Sequence, residues 1–373
     1  MSNYNRGLSN INSELTINGS KDAFIEDINT NYGLINKRIR NNLNYIDLNI
    51  GRYSNTIIKI LFIDNITDGR LVNNIGNRIN NIDIDAIIDS SYLKHALEEE
   101  YNILPTIMET ERPDKCCMAL MEGKVIVLVD NCPYALILPS LFFDFFHTPD
   151  DYYQKNINSS FIRIIRFIAF FIAIFLPGIY ISVTTRNYDL VSLPLLLMLK
   201  AGRSFVPFSA YIEALLMILS FEILREGDLR MSQAASSSIS ILGGLILGDA
   251  AVAAGIVSPI MIIIIAISSI AGLIFSSIEL VNAIRIYKII VLLLSSLLGI
   301  YGTITGFFIL AYNIFNTRIF GYSYLDYDLN ELKDSVIKID SKIKTRNTKL
   351  TKNKIRGRYK WKRILFFCWF FFL

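Results

Sequence analysis

The pattern of hydrophobic and polar positions divides the chain into two parts near residue 155. Up to Tyr153 the sequence is rich in Asn, Asp, Lys and Arg, whereas from Phe161 to Tyr312 apolar runs follow one another with few charges between them. This pattern predicts a polar N-terminal domain followed by a hydrophobic bundle that crosses a membrane several times.

The polar part predicts a small mixed α/β domain over residues 19–155, which follows a disordered segment, residues 1–18. The β-branched apolar run Thr56–Ile63 is short enough for a buried strand, and Asp68 is placed to cap a helix that continues to about Asn80. A strand pair joined by turn-forming residues and two helices are also predicted: Lys124–Val129 with Tyr134–Leu138, Asp22–Arg40 and Ile84–Glu99.

Five segments of the hydrophobic part approach the roughly 20 apolar residues that a membrane span needs. They are Phe167–Val183, Val206–Leu224, Ile239–Val257, Pro259–Ser276 and Ile289–Tyr312. A shorter run, Leu190–Leu199, contains Pro194 and is predicted to be a re-entrant or interfacial piece. The expected fold is an α-helical membrane bundle of four to six segments over residues 156–325, preceded by the α/β domain.

Positive charge predicts the orientation of the bundle. Arg163 and Arg166 precede the first segment, and residues 342–363 hold 11 Lys or Arg without an acidic residue. Both chain ends are therefore expected in the cytoplasm, which requires an even number of crossings. Either four segments cross and one dips into the membrane, or the short run helps to form a sixth.

The C-terminal tail, residues 326–373, is predicted to lie in the cytoplasm against the membrane. Its cations Lys360, Lys362 and Arg363 stand beside an aromatic end that is too short to span a bilayer. Such a basic and aromatic segment is attracted to anionic lipid. These three residues, with Arg163 and Arg166, are the candidate cations at the membrane surface.

Carboxylates inside the hydrophobic part are candidate functional groups, because an unpaired charge in hydrocarbon costs at least about 2.5 kcal/mol. The candidates are Glu213, Glu222, Asp249 and Glu279. Glu222 lies one turn from Arg225, which also fits a residue at the membrane interface. Glu213 has apolar neighbours and is expected to lie deeper.

Asp249 lies in the middle of a predicted span that is rich in Gly and Ala. Its helix face also presents Leu242, Leu245 and Ala253. The small residues favour close helix packing, with Asp249 hydrogen-bonded inside one subunit. Alternatively, copies of the helix around an oligomer axis form a ring of carboxylates that favours cations, and the two leucines form a constriction. The residues alone leave both alternatives open.

Other candidate chemistry is sparse. Neither His95 nor His147 stands near a patterned set of Cys, Ser or acidic residues that would predict a catalytic triad or a metal cage. The cysteines lack zinc-site spacing, and no phosphate-binding loop of the GxxxxGK[ST] kind is present. We therefore expect no enzymatic activity, metal, cofactor or nucleic-acid partner. The polar first 55 residues hold no secretion signal, so the N-terminal domain is expected in the cytoplasm.

Several segments resemble the A subunit of the GerA-type spore germination receptors. They occur in the family's order between GSKDAF at Gly19–Phe24 and FGYSYL at Phe320–Leu325. The segments between them are ETERPDK (Glu109–Lys115), EGKVIVLVD (Glu122–Asp130), PSLFFDFFHTPDDYY (Pro139–Tyr153), EALLMILSFEILREG (Glu213–Gly227) and GDAAVAAGIVSPIM (Gly248–Met261).

The resemblance implies a protein of the inner membrane of dormant bacterial endospores. It implies a complex with a nutrient-binding B subunit and a lipoprotein C subunit, in which the A subunit oligomerises into a channel that releases monovalent cations. This favours the pore-lining interpretation of Asp249. The family usually has a further N-terminal subdomain before the GSKDAF-like segment, and only 18 residues precede it here, so a shortened N-terminal region is expected.

Two other functions are compatible with the residues. A secondary transporter is suggested by the interrupted apolar region Leu190–Leu224 and its carboxylates, but such transporters have inverted internal repeats, and none is visible. A structural membrane scaffold is the second. It predicts that neutral replacements of Glu213 and Asp249 affect only assembly.

Overall fold

The computed structural model describes residues 14, 16, 18–98, 102–230 and 248–325. Within these ranges, an N-terminal α/β domain is followed by a helical bundle. Several predictions fall wholly or largely outside the described residues, namely those for the segment 1–18, the span Ile239–Val257 with Leu242 and Leu245, and the tail 326–373 with Lys360, Lys362 and Arg363.

The α/β domain contains an antiparallel five-stranded sheet with the strand order β1-β2-β4-β5-β3. The strands are β1 (Leu43–Ile50), β2 (Thr56–Ile63), β3 (Met108–Thr110), β4 (Val125–Val129) and β5 (Ala135–Leu138). The strand predicted at Thr56–Ile63 and the predicted β4–β5 hairpin are confirmed. β1 was missed because Asp47 and Asn49, residues that disfavour strands, alternate with its apolar positions.

Five helices pack on the sheet or lead out of the domain. They are α1 (Ile28–Arg38), α2 (Gly69–Asn80), α3 (Ser90–Leu97), α4 (Pro113–Met121) and α5 (Pro149–Tyr153). The predicted Asp68 cap of α2 is confirmed, since its side chain accepts a hydrogen bond from the Arg70 backbone N–H. The helix predicted over Ile84–Glu99 begins only at Ser90, because Asp89 caps it there.

A buried ion network ties the start of α4 to α5. The Arg112 side chain is 2% exposed and donates from Nε and Nη2 to Asp114 at 3.1 and 2.8 Å. Arg112 Nη1 also contacts Asp150 at 3.4 Å, and the Tyr153 hydroxyl donates to Asp114 at 3.2 Å. Two of the segments that resemble the germination receptors therefore meet at one buried guanidinium.

Six helices of the bundle have bounds within the described residues. They are α6 (Asn156–Thr185), α7 (Leu193–Gly202), α8 (Ala210–Arg230), α9 (Pro259–Gly272), α10 (Ile278–Leu298) and α11 (Ile300–Asn316). Among the described residues, α6 and α10 are long and apolar enough to cross a membrane. The single segment predicted at Ile289–Tyr312 is wrong, because Gly299, at φ +65°, ends α10 and reverses the chain into α11.

α10 and α11 form an antiparallel hairpin with closely packed backbones. Gly302 of α11 lies so near Leu294 of α10 that a Cβ at this position would overlap the Leu294 carbonyl oxygen. One turn further along α11, Gly306 lies against the Val291 side chain. Glycine at these positions therefore sets the distance between the two helices.

The bundle has two distinguishable ends. At the far end, the residues after α6 meet the α10–α11 turn, where Asn187 Oδ1 accepts a hydrogen bond from the Ile300 N–H at 2.9 Å. At the domain end, α6 and α10 begin and α11 ends. The core is continuous here, since Phe146 of the α/β domain contacts Phe170 of α6 and Phe275 edge-on, with ring centroids 5.4 and 5.5 Å apart.

Candidate functional site

Lys94 joins the α/β domain to the start of α10. It lies on α3 with a side chain that is 1% exposed, forms an ion pair with Glu279 in the first turn of α10, and lies 3.6 Å from Glu109 Oε1. Burial lowers the pKa of Lys94, and the nearby carboxylates of Glu109 and Glu98 oppose this shift. Glu279, a predicted intramembrane carboxylate, is thus placed against the α/β domain.

Asp151 joins α5 to the start of α6. Arg166 Nη1 and Nη2 donate to its two carboxylate oxygens at 2.6 and 3.1 Å, and Arg163 Nε lies 3.5 Å away. Asp151 also accepts from the Thr148 backbone N–H at 3.1 Å. Arg163, predicted as a cation at the membrane surface, has a fully buried side chain and so contacts Asp151 rather than lipid headgroups.

The segment after α11 returns to the α/β domain. It forms a short hairpin of β6 (Arg318–Ile319) and β7 (Tyr322–Ser323). Phe320, at the turn, is buried in the domain core, with the Arg78 guanidinium 4.8 Å from its ring centroid. The carbonyl of the buried Tyr324 accepts a hydrogen bond from the Phe142 N–H at 3.1 Å.

These three contact sets form one unit, which we call the junction: Lys94 with Glu279, Asp151 with Arg163 and Arg166, and Phe320 in the domain core. Each set fixes one helix end of the bundle to the α/β domain. We therefore expect a movement of the domain to act on α6, α10 and α11 together. Across the described residues, no group of three or more His, Cys, Asp or Glu side chains could hold a metal ion.

Acidification is expected to weaken the Asp151 contacts. Burial raises the pKa of Asp151, but the hydrogen bonds and charge of Arg166, with smaller effects of Thr148 and Arg163, hold it below its ordinary value. A carboxylate with a lowered folded-state pKa stabilises the fold fully above the unfolded pKa of about 4, and this stabilisation is lost as pH falls through the folded pKa. Thermal unfolding of the detergent-solubilised protein, measured from about pH 7 to about pH 3, checks this expectation.

Asp151→Asn should lower the thermal unfolding midpoint at neutral pH. The midpoint of this variant should then fall less on acidification than that of the unaltered protein. Asp83→Asn is the matched control, because Asp83 belongs to an exposed ion pair with Arg52. The same acid sensitivity in Asp151→Asn as in the unaltered protein would show that the junction is not held by this carboxylate.

Glu213 is the carboxylate buried deepest in the bundle. Its residue exposure is 0%, and it lies in the first turn of α8. Glu213 Oε1 accepts from the Ser258 backbone N–H at 2.6 Å and from the Ser258 hydroxyl, and Oε2 lies 3.3 Å from Arg203 Nε. Ser258 is the N-cap of α9. Glu213 therefore fixes the start of α9 to α8.

The remaining predicted residues lie at separate places. Glu222 of α8 pairs with Arg285 of α10 at 3.1 Å, and both side chains are partly exposed. Asp249 and Ala253, one helical turn apart, are exposed in the helical residues 248–253. The structure therefore brings none of the four predicted carboxylates together. The junction, which it does assemble, draws on Lys94 and Asp151, which the sequence had not singled out.

Comparison with known proteins identifies similar chains. The family described as Bacillus/Clostridium GerA spore germination protein matches residues 2–350. Spore germination protein KA of Bacillus subtilis is 34% identical over 340 residues, which cover 90% of this chain and 62% of that protein. Spore germination protein A1 of Bacillus subtilis is 32% identical over 345 residues, 91% of this chain and 72% of that protein. The chain thus spans less than two thirds of the length of protein KA.

A solved structure is also similar. It is the N-terminal domain of the A subunit of the Bacillus megaterium spore germinant receptor GerK3, which is 35% identical to this chain. The match covers 32% of this chain and 97% of that domain, with a TM-score of 0.27.

Proposed function

The chain belongs to the Bacillus/Clostridium GerA family of spore germination proteins, and we propose that it is the A subunit of a germinant receptor. In this proposal it oligomerises in the spore inner membrane into a nutrient-gated cation channel, together with nutrient-binding B and lipoprotein C subunits. Family membership carries the germination role. The proposal assigns no catalytic step, cofactor or nucleic acid to the chain.

The exposed position of Asp249 supports the channel proposal. In one copy of the chain, Asp249 and Ala253 are exposed one turn apart, as side chains that line a space between copies would be. A symmetric oligomer would then place one carboxylate from each copy around a shared axis, which favours cations over anions. Leu242 and Leu245 are the proposed constriction, and both lie outside the described residues.

The directions of the described helices support an even number of crossings, with both ends of the bundle on the side of the α/β domain. α8 runs from Glu213, near the far end, to Arg230, and its Glu222 contacts α10 nearer the domain end. α9 starts at Ser258 beside Glu213, so α8 and α9 both run toward the domain end. α6 leaves the domain end and α11 returns to it, so the described bundle begins and ends on one side.

Asp249→Asn is expected to reduce the selectivity of the channel for cations, because it removes one negative charge per subunit from the pore. Asp249→Glu keeps the charge and is the matched control. The measurement is nutrient-triggered conductance of the full-length protein reconstituted with its B and C subunits, with cation-to-anion permeability as the readout. Equal selectivity in both variants and the unaltered protein would exclude Asp249 from the pore, and an absence of nutrient-triggered current in the unaltered complex would contradict the channel proposal itself.

A further inference from the structure

A second charged cluster lies between α8 and α10, separate from the junction and from Glu213. Glu222 and Arg225 are three residues apart on α8, and Arg285 and Lys288 are three residues apart on α10, so each pair shares a helix face. Glu222 Oε2 and Arg285 Nε, 3.1 Å apart, bring the two faces together. The Lys288 ammonium experiences the charges of Glu222, Arg285 and Arg225.

The cluster has an excess of positive charge. It contains three cations and one carboxylate. Glu226, the next carboxylate along α8, pairs with Arg230 at 2.7 Å, and the neighbouring helices α6, α9 and α11 carry no acidic residue. Within the described residues, neither Lys288 nor Arg225 has a hydrogen bond or an ion pair within 4 Å, although Lys288 is only 4% exposed. A buried cation without a hydrogen-bonded counter-charge is costly, so these cations would favour the binding of an anion.

The cluster lies where the bundle changes from charged to apolar. Arg285 follows Glu279, which contacts the α/β domain, by six residues, or about 9 Å along the helix. Beyond Lys288, α10 carries no charged residue to its end, and the charged residues of the second half of α8 begin at Glu222, which contacts α10 at this level. Three isoleucines next to the cluster residues in sequence are exposed: Ile223, Ile286 and Ile289. Cations framed by apolar side chains near the membrane surface match a lipid headgroup with its acyl chains.

We propose that this cluster binds the phosphate group of an anionic phospholipid in the leaflet that faces the α/β domain. The guanidinium groups of Arg225 and Arg285 suit phosphate oxygens, and the buried ammonium of Lys288 supplies a further charge. The apolar surroundings favour a lipid over free phosphate. The inference rests on the membrane placement proposed above and adds a site that is independent of channel opening.

The test compares lipid binding by native mass spectrometry of the full-length protein in detergent. The probes are phosphatidylglycerol and phosphatidylcholine with the same acyl chains, and inorganic phosphate. We expect phosphatidylglycerol to bind more tightly than phosphatidylcholine, and Lys288→Gln or Arg225→Gln to weaken its binding about tenfold, since each removes a charge-assisted contact. Lys200→Gln, which removes an exposed cation from α7, is the matched control and should leave binding unchanged.

Glu222→Gln is expected to change the affinity for phosphatidylglycerol in the opposite direction. Removal of the carboxylate that pairs with Arg285 should tighten phosphatidylglycerol binding, whereas a purely structural ion pair predicts no gain. Equal affinity for the two lipids, an unchanged affinity in Lys288→Gln and Arg225→Gln, or inorganic phosphate binding as tightly as phosphatidylglycerol would each overturn the proposal. A protein that stays soluble without detergent would instead contradict the membrane placement.

Discussion

Arg112→Met is expected to lower the free energy of unfolding of the α/β domain by about 3–5 kcal/mol, because it leaves buried carboxylates without their counter-charge. In the folded protein, Asp114 and Asp150 contact the same buried guanidinium. Methionine fills much of the volume of arginine but donates no hydrogen bond. The loss should appear as faster hydrogen exchange of the β4 and β5 amides in the detergent-solubilised protein.

Arg52→Met is the matched control for this prediction. Arg52 is also paired with two aspartates, Asp83 and Asp85, but all three side chains are well exposed. Exposed pairs contribute little, so exchange in the sheet should not change measurably. If the two variants behaved alike, the Arg112 network would not be a stabilising element of the domain.

Gly302→Ala is expected to separate α10 from α11 and to lower the thermal unfolding midpoint of the bundle. The added Cβ would overlap the Leu294 carbonyl oxygen, which is backbone and cannot rotate away. Overpacking in a well-packed interior typically costs about 1–3 kcal/mol, and a backbone clash belongs at or above the upper end of this range. Thermal unfolding followed by circular dichroism in detergent measures the loss.

Gly227→Ala is the control, because Gly227 is also helical and a Cβ there meets no atom within 4 Å. Alanine is the better helix former, so this variant should be as stable as the unaltered protein or more stable. Equal midpoints for Gly302→Ala and Gly227→Ala would mean that the hairpin is less closely packed than described.

Capping and turn residues in the sequence correctly predicted the helix start and the hairpin that they determine. Asp68 marked the start of α2, and the turn residues between β4 and β5 marked their hairpin. The α10–α11 turn was missed because Gly299 stands inside an unbroken apolar run, so hydropathy alone suggested one long segment. In that context only the conformation of a single glycine distinguishes one helix from two.

The sequence identified the carboxylates of the bundle as candidate functional residues, but it did not predict which residues they contact. Glu213 was expected to lie deep in the bundle, and it is fully buried. Its partner Ser258, and the partner Lys94 of Glu279, lie far away along the chain. Hydropathy measures how strongly a residue prefers an apolar environment to water. An ion pair depends instead on which distant side chain the fold brings near. Lys94, on a predicted helix of the polar domain, therefore gave no sign of its burial.

The three contact sets of the junction restrict how the α/β domain can move relative to the bundle. The α/β domain holds α6 through Asp151, α10 through Glu279 and the end of α11 through Phe320, and these helices pack against one another in a triangle. Three contacts that do not lie on one line fix the orientation of a rigid domain. We therefore expect the domain to keep its tilt relative to these helices while all three contacts are intact. A signal that changes this tilt would have to break one of the three contacts. A signal that leaves them intact would have to move parts outside the junction, such as α8 or residues 248–253.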